Sequence, residues 1–234
     1  MVLYVNGCSH SVGACVGHSD NWARSLMKEL TSSHDFYTSV HLDEFKRTNE
    51  NLLFNCARNG SGNDYIFHST LEHITALINK SLKPDLVVIQ WSGPNRRYSI
   101  TPDGDVFFIN LYDNVEYHIK FEPMGTENTI HYMFLMQEFL KSNGIEYYFF
   151  NYMKLDQSMV NSFLFKKLDF DNFVDFGLGR GIMNYGLMSL IKEMGYGCNG
   201  DIDLHPNLIG NKFIKDEIIK KMNKTDYSKY TTLI

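Results

Sequence analysis

The sequence predicts an α/β fold in which helices cover both faces of a parallel sheet. Four short runs are rich in β-branched and aromatic residues, and each is followed by turn or capping residues, as is typical of buried parallel strands. Helical patterns separate these runs, and this alternation favours a parallel sheet over an antiparallel one. The predicted strands are Val2–Asn6, Leu52–Cys56, Leu86–Trp91 and Ile145–Asn151.

The predicted helices combine apolar residues at helical spacing with recognisable start and stop signals. Ser19 and Asp20 are suitable capping residues for the first helix, and Asn143 and Gly144 stop the third. Pro206 fits the first turn of the last helix, because proline needs no hydrogen-bond partner for its nitrogen there. The predicted helices are Asn21–Leu30, Asp64–Asn79, Thr129–Lys141, a segment near Asn184–Met194, and Pro206–Met222.

Two segments interrupt the alternation of strands and helices. Tyr98–Ile119 contains a Thr-Pro-Asp-Gly-Asp turn between two β-rich runs, which predicts a hairpin inserted after the third strand, at about 98–119. Residues 155–200 are irregular apart from the helical segment near their end. The chain has 234 residues and contains no evident linker, repeat or low-complexity tract, so we expect one domain over residues 1–234.

The composition excludes several classes of protein. Hydrophobic residues make up 44% of the chain and charged residues 21%, which suits a folded core and argues against disorder. A net charge of −5 gives no basic surface for nucleic acid. The N-terminus lacks the features of a signal peptide, and no apolar run reaches the roughly 18 residues of a membrane span. The four cysteines lack the spacing of a disulfide framework, so we expect a reduced, cytoplasmic protein.

Polar residues and glycines follow each predicted strand, at the sheet edge where open α/β folds bind ligands. Ser9 lies in a glycine-bearing turn that can present its hydroxyl as a nucleophile. Gly60 can bring a backbone N–H close to a substrate, and Asn95 offers an amide donor. Asp203 and His205 place a carboxylate beside a base near the C-terminus. Acyl transfer requires such a set, because it needs an activated hydroxyl, a base of near-neutral pKa and donors for a developing negative charge.

In this order the four loops resemble the four blocks of the SGNH (GDSL-like) hydrolase family. The blocks are a Gly-Asp-Ser type loop, an oxyanion glycine, a Gly-x-Asn and an Asp-x-x-His, and the resemblance spans residues 5 to about 215. It implies a three-layer α/β/α sandwich with a flavodoxin-like parallel sheet of about five strands. It also implies that Ser9 is the nucleophile and His205 the general base, with an oxyanion hole formed by the backbone N–H groups of Ser9 and Gly60 and the side-chain amide of Asn95.

The sequence departs from the family pattern at two positions. Cys8 stands where the family has an aspartate, a tolerable change because this side chain is not the nucleophile. Ile202 stands three residues before His205, so the family's Asp-x-x-His is absent, while Asp203 and Asp201 lie two and four residues before the histidine. We favour Asp203 as the acid that orients His205, and leave open Asp201 or a backbone carbonyl.

The leading hypothesis is therefore a serine esterase or deacylase that acts through an acyl-enzyme on Ser9. We expect its substrate to be a small-molecule or carbohydrate ester that carries a short acyl group such as acetyl, with no metal and no cofactor. Two other functions stay open: transfer of the acyl group to an acceptor other than water, and a catalytically silent binding module. The sequence carries no signal for an oligomeric state.

Each residue type at the predicted site also has a purely structural interpretation. Ser9 can serve as a helix cap, Gly60 and Asn95 as turn residues, and His205 as a surface histidine. Arg96 and Arg97 can contact substrate or form ordinary surface ion pairs. A rival zinc site would use four residues of the first loop, and it is disfavoured because their spacing is not a recognised zinc pattern. Those residues are Cys8, His10, Cys15 and His18.

Overall fold

A parallel sheet of five strands forms the centre of the structure. The computed structural model describes residues 1–17, 19–32, 37–39, 51–100, 103, 106–110, 115–156, 158, 162–199 and 203–223. The strands are β1 (Val2–Asn6), β2 (Tyr37–Ser39), β3 (Leu52–Asn55), β4 (Leu86–Trp91), β5 (Arg96–Ile100), β6 (Val106–Asn110) and β7 (Glu146–Asn151). The sheet has the order β2-β3-β1-β4-β7, with every neighbouring pair parallel, and β5 and β6 form a separate antiparallel ribbon.

The predicted fold class is confirmed, and all four predicted strands are present with bounds that differ by at most one residue. These four lie in the order β3-β1-β4-β7, which is the 2-1-3-4 arrangement of a flavodoxin-like sheet. The fifth strand, β2, is at the edge beside β3. At the opposite edge, where a flavodoxin-like sheet has its last strand, Phe173 makes a single parallel bridge to Phe149.

Helices cover both faces of the sheet, which gives three layers. They are α1 (Ser9–Val12), α2 (Trp22–Thr31), α3 (Asn63–Asn79), α4 (Val115–Ser142), α5 (Ile182–Tyr185), α6 (Leu187–Glu193) and α7 (Leu208–Asn223). On one face α3 packs against α4, and on the other α2 packs against α7. None of the helices in the described ranges is long and apolar enough to cross a membrane.

Helix α4 is longer than predicted, and the inserted ribbon is correspondingly shorter. The sequence predicts this helix from Thr129, but α4 begins at Val115 and contains both Pro123 and Gly125 in its interior. Residues 115–119 are therefore helical, and the ribbon spans residues 96–110 rather than 98–119. The glycine has a packing role: a Cβ on Gly125 would lie 2.4 Å from the carbonyl oxygen of Pro94.

Buried polar residues stand at the carboxyl ends of otherwise apolar strands. Asn6 ends β1, and its amide nitrogen donates to the hydroxyls of Ser69 and Thr70 on α3, at 2.9 and 2.8 Å. Gln90 lies near the end of β4, also fully buried. A buried polar group costs free energy unless it is hydrogen-bonded, so these residues mark an edge where specific contacts matter. The candidate site lies at this edge.

Candidate active site

Ser9 is the first residue of α1, directly after the turn that follows β1. Cys8 is the N-cap of this short helix, and Gly13 ends it in the left-handed conformation at φ 85°. The backbone N–H of Ser9 belongs to the first turn, where a helix does not use its own amide donors. Because Gly7 has no side chain, the backbone of this turn can approach β4 closely. A Cβ on residue 7 would lie 3.0 Å from the Gln90 Cβ. The turn therefore leaves both the hydroxyl and the amide of Ser9 available for chemistry.

Gln90 fixes the two sides of the serine turn. The hydroxyl of Ser11 donates to the Gln90 side-chain oxygen at 2.6 Å, and the Gln90 nitrogen lies 3.1 Å from the sulfur of Cys8. Cys8 is thus fully buried and in contact with β4. Sequence reasoning missed Gln90, although one polar residue within the apolar run Leu86–Trp91 was a usable signal.

The structure brings Ser9, His205 and Asp203 into one chain of hydrogen bonds. The Nε2 atom of His205 lies 2.8 Å from the Ser9 hydroxyl, and its Nδ1 atom lies 2.5 Å from Oδ1 of Asp203. The backbone N–H of His205 donates to the same carboxylate oxygen at 3.0 Å. That N–H, and after it the ring N–H, hold the pKa of Asp203 below its ordinary value, so the carboxylate stays ionised. Asp201, the alternative acid, lies outside the described residues.

A small antiparallel pairing supports the turn that carries His205. Gly197 and Pro206 form a β-bridge, and the Cys198 amide donates to the His205 carbonyl at 3.0 Å. Cys198 is also joined by a disulfide to Cys15, three residues after the end of α1. The two loops that carry Ser9 and His205 are therefore covalently connected.

The expectation of four reduced cysteines is wrong for this pair. Cys15 and Cys198 are separated by 183 residues, and the spacing of cysteines in a sequence does not reveal a pairing that depends on tertiary approach. Cys8 and Cys56 are free and buried, and burial raises the pKa of the Cys56 thiol to about 12.

We expect the Cys15→Ser/Cys198→Ser double variant to lose about 2–4 kcal/mol of unfolding free energy, because the bond closes a long loop in the unfolded chain. Urea unfolding monitored by circular dichroism measures this difference. Wild-type protein kept under strong reductant should unfold like the double variant. Equal midpoints for oxidised wild type and double variant would contradict the prediction.

Asn95 is buried with an unused side-chain amide. The side chain is 1% exposed, and neither its nitrogen nor its oxygen has a hydrogen-bond partner. Leaving such a group unpaired costs about 1–3 kcal/mol, so a buried amide without a partner needs a functional or structural explanation. Gly125 on α4 makes room for it, since a Cβ there would lie 2.8 Å from the Asn95 side-chain oxygen.

Asn63, the first residue of α3, holds the start of the loop that leads to Asn95. Its side-chain oxygen accepts from the Ser92 amide at 2.6 Å, and its nitrogen donates to the Ser92 carbonyl at 3.1 Å.

Two arginines contact the same loop. Arg96 donates to the Ser92 hydroxyl at 3.1 Å, and Arg97 donates to the Pro94 carbonyl at 2.9 Å. Both arginines therefore brace this loop. Sequence reasoning did not identify Asn63 or the bracing role of the arginines, because their partners depend on the tertiary fold.

Gly60 lies in the loop after β3 with φ of 78°, a left-handed conformation that favours glycine. This loop is joined to the serine turn, since the Arg58 amide donates to the Gly7 carbonyl at 3.1 Å. On its other side Gly60 faces Phe108 of the ribbon, 3.5 Å from the position a Cβ would take.

The first loop does not assemble the rival zinc site. Cys15 is bonded to Cys198, Cys8 contacts Gln90, and His10 stacks on Tyr152. His18 lies outside the described residues. Within the described part of the chain, no group of three or more histidine, cysteine or acidic side chains could hold a metal ion.

Comparison with known proteins identifies the fold. No protein-family model and no curated protein matches the chain. The esterase EstA of a Pseudoalteromonas species, solved in a form inhibited by monoethylphosphonate, is similar with a TM-score of 0.53 and 12% identity, over 96% of this chain and 97% of that one. An acetyl xylan esterase gives 0.50 and 15% identity, over 94% and 98% of the two chains. A Desulfitobacterium hafniense protein described as lipolytic and of the G-D-S-L family gives 0.51 and 11%, over 94% and 98%. The chain therefore has the fold of the SGNH hydrolases.

Proposed function

We propose that the protein is a serine esterase or deacylase that hydrolyses carboxylic esters through an acyl-enzyme on Ser9. The observation that carries this proposal is the hydrogen-bonded chain from the Ser9 hydroxyl through the two ring nitrogens of His205 to the Asp203 carboxylate. A serine, a histidine and an acid in this order provide a nucleophile, a general base and a group that fixes the tautomer of the base.

In the first half of the reaction, the Ser9 oxygen attacks the ester carbonyl carbon while Nε2 of His205 takes the serine proton. Asp203 stabilises the imidazolium that forms. The carbonyl oxygen becomes negative and accepts hydrogen bonds from the backbone N–H groups of Ser9 and Gly60 and from the amide of Asn95. These donors are already in place and need no reorganisation when the negative charge develops on the carbonyl oxygen. They therefore stabilise the transition state and lower the activation barrier.

The second half of the reaction uses the same groups. The tetrahedral intermediate collapses, the bond to the alcohol oxygen breaks, and His205 gives its proton to the departing alcohol. A water molecule then attacks the acyl-serine carbonyl while His205 takes a water proton. Collapse of this second intermediate releases the carboxylic acid, and the proton on His205 returns to Ser9.

A short acyl group, such as acetyl on a sugar or small alcohol, is the substrate we favour. Phe108 stands against Gly60, and Tyr65 holds it edge-to-face with ring centroids 5.2 Å apart. A bulky ring beside an oxyanion donor restricts the space next to the reacting carbonyl. One structure of the same fold is named as an acetyl xylan esterase, a further support for an acetylated carbohydrate.

A fluorophosphonate probe tests the proposal directly. Only an activated serine displaces fluoride from the phosphorus, and the resulting adduct can be located by mass spectrometry of peptides. We expect labelling at Ser9, blocked by prior incubation with an acetyl ester. Absence of labelling in folded protein would reject the enzyme in favour of a binding module. Products formed with added alcohol or sugar then distinguish hydrolysis from acyl transfer.

Replacement of Asn95 by alanine is expected to lower kcat by about 10²–10³-fold with a small change in KM, since an oxyanion donor acts mainly in the transition state. The same change removes a buried amide that has no partner, so the thermal unfolding midpoint should stay equal or rise. Steady-state kinetics and calorimetry measure the two effects. A lower midpoint with unchanged kcat would assign Asn95 a structural role instead.

A further inference from the structure

Tyr152 follows β7 and is held rigidly beside the candidate site. Its side chain is 1% exposed. Its backbone N–H donates to the Trp91 carbonyl at 3.0 Å, and its carbonyl accepts from the Met188 amide at 2.8 Å. Gly186 allows this close contact, since a Cβ there would lie 2.8 Å from the Tyr152 carbonyl oxygen. A tyrosine fixed at both backbone groups is a firm support for whatever its ring and hydroxyl contact.

The ring and the hydroxyl of Tyr152 contact the two catalytic loops at once. The ring stacks on His10, the residue after Ser9, with centroids 3.4 Å apart and planes 16° apart. His10 in turn lies 4.5 Å from the His205 ring, inclined by 31°. The Tyr152 hydroxyl donates to the carbonyl of Leu204, the residue between Asp203 and His205. Tyr152 and His10 therefore fix both the ring of His205 and the turn that carries it.

We propose that Tyr152, acting with His10, is a positioning residue that aligns the shortened Asp203-Leu204-His205 turn so that His205 faces Ser9. This inference rests on the proposed function, and it explains how an acid two residues before the histidine can serve. This turn has one residue fewer between the acid and the histidine than an Asp-x-x-His turn. It has to be held in place so that one carboxylate oxygen of Asp203 can contact both the backbone N–H and the Nδ1 atom of His205. The Tyr152 hydroxyl supplies that constraint at the middle residue.

The electrostatic setting suits this role. Burial raises the pKa of Tyr152, so its hydroxyl remains a donor to Leu204. Burial, and then the nearby charges of His205 and Arg96, lower the pKa of His10 well below its ordinary value. A neutral His10 ring does not oppose the positive charge that forms on His205 during catalysis.

Tyr152→Phe tests the inference, because it removes the hydroxyl and keeps the stacking ring. We expect the rate of fluorophosphonate labelling and kcat to fall about 10–100-fold, since small misalignments of reacting groups have effects of this size. KM for an acetyl ester should stay within about twofold. Tyr147→Phe is the matched control, since Tyr147 is equally buried but lies at the amino end of β7. It should behave like wild type.

A second pair of variants tests the stacking contact. His10→Phe preserves a flat ring between Tyr152 and His205 and should retain most activity, whereas His10→Ala should lose activity as Tyr152→Phe does. If Tyr152→Phe labels as fast as wild type, the positioning inference is overturned while the proposed function stands.

Nuclear magnetic resonance separates the inference from the proposed function. The Nδ1 proton of His205, bonded to Asp203, should give a far-downfield signal in wild type that weakens or moves upfield in Tyr152→Phe. If wild type fails to label, the proposed function fails, and this signal alone decides whether Tyr152 aligns the turn. An unchanged signal in Tyr152→Phe would overturn the inference in either case.

Discussion

Replacement of Ser9 by alanine should reduce ester hydrolysis by roughly 10⁴–10⁶-fold, to the residual level that the oxyanion donors and substrate binding provide. The hydroxyl forms the bond to the acyl group, and the adjacent Cys8 sulfur is buried in contact with Gln90. Because Ser9 contributes one small hydroxyl at the start of a short helix, the thermal unfolding midpoint should change little. Activity on an acetyl ester and labelling by fluorophosphonate measure the loss.

Ser11→Ala provides the matched control two residues away. The Ser11 hydroxyl is buried and donates to Gln90, so its removal leaves a buried acceptor unpaired and should cost about 1–3 kcal/mol of unfolding free energy. Labelling of Ser9 should persist in this variant. Ser11→Ala should lose stability and keep its activity, whereas Ser9→Ala should keep its stability and lose activity. This contrast would separate the roles of the two serines. Activity of folded Ser9→Ala protein near the wild-type level would remove Ser9 from the mechanism.

The central strands could be predicted because burial on both faces leaves a strong sequence signal. Each of the four runs is apolar at nearly every position, as a strand between two helical layers requires. The edge strand β2 has only three residues, Tyr37–Ser39, and such a short segment leaves little pattern to read. The structure starts α4 before the predicted Thr129, and the helix contains Pro123 and Gly125, two residue types that are unfavourable inside helices. Gly125 serves the contact between α4 and the Asn95 loop.

The candidate site could be predicted only where its residues follow strand ends in a recognisable order. Ser9, Gly60 and Asn95 each follow a predicted strand, and the last block brings in Asp203 and His205. The supporting residues carry no such marker, because their partners are distant in the chain. Gln90 contacts the serine turn from about 80 positions away, and Tyr152 reaches Leu204 across 52. A sequence records the residue type in these cases, but the fold alone determines what that residue contacts.

The identity of the acid can be decided by a single isosteric change. Asp203→Asn should lower kcat by about 10³–10⁴-fold with little effect on KM. The carboxylate accepts a hydrogen bond from Nδ1–H, which keeps the proton on Nδ1 and leaves Nε2 free to take the proton of Ser9. An amide that turns its N–H₂ group toward Nδ1 favours the opposite tautomer, in which Nε2 carries a proton and cannot act as the base. It also removes the negative charge that stabilises the imidazolium.

Asp201→Asn is the matched control, since it makes the same chemical change two residues earlier, and it should leave kcat within about threefold of wild type. The Asp203 side chain is 37% exposed, so its replacement should cost little stability, and the loss should be one of rate. A severe effect at Asp201 with a mild one at Asp203 would transfer the role to Asp201. If both single variants stay active, the Asp201→Asn/Asp203→Asn double variant is decisive. Activity that collapses in the double variant would mean that the two acids substitute for each other. Activity that persists would indicate a Ser9–His205 dyad oriented by the backbone. Full activity in that double variant would mean that the contact between Asp203 and His205 holds the turn without assisting the chemistry.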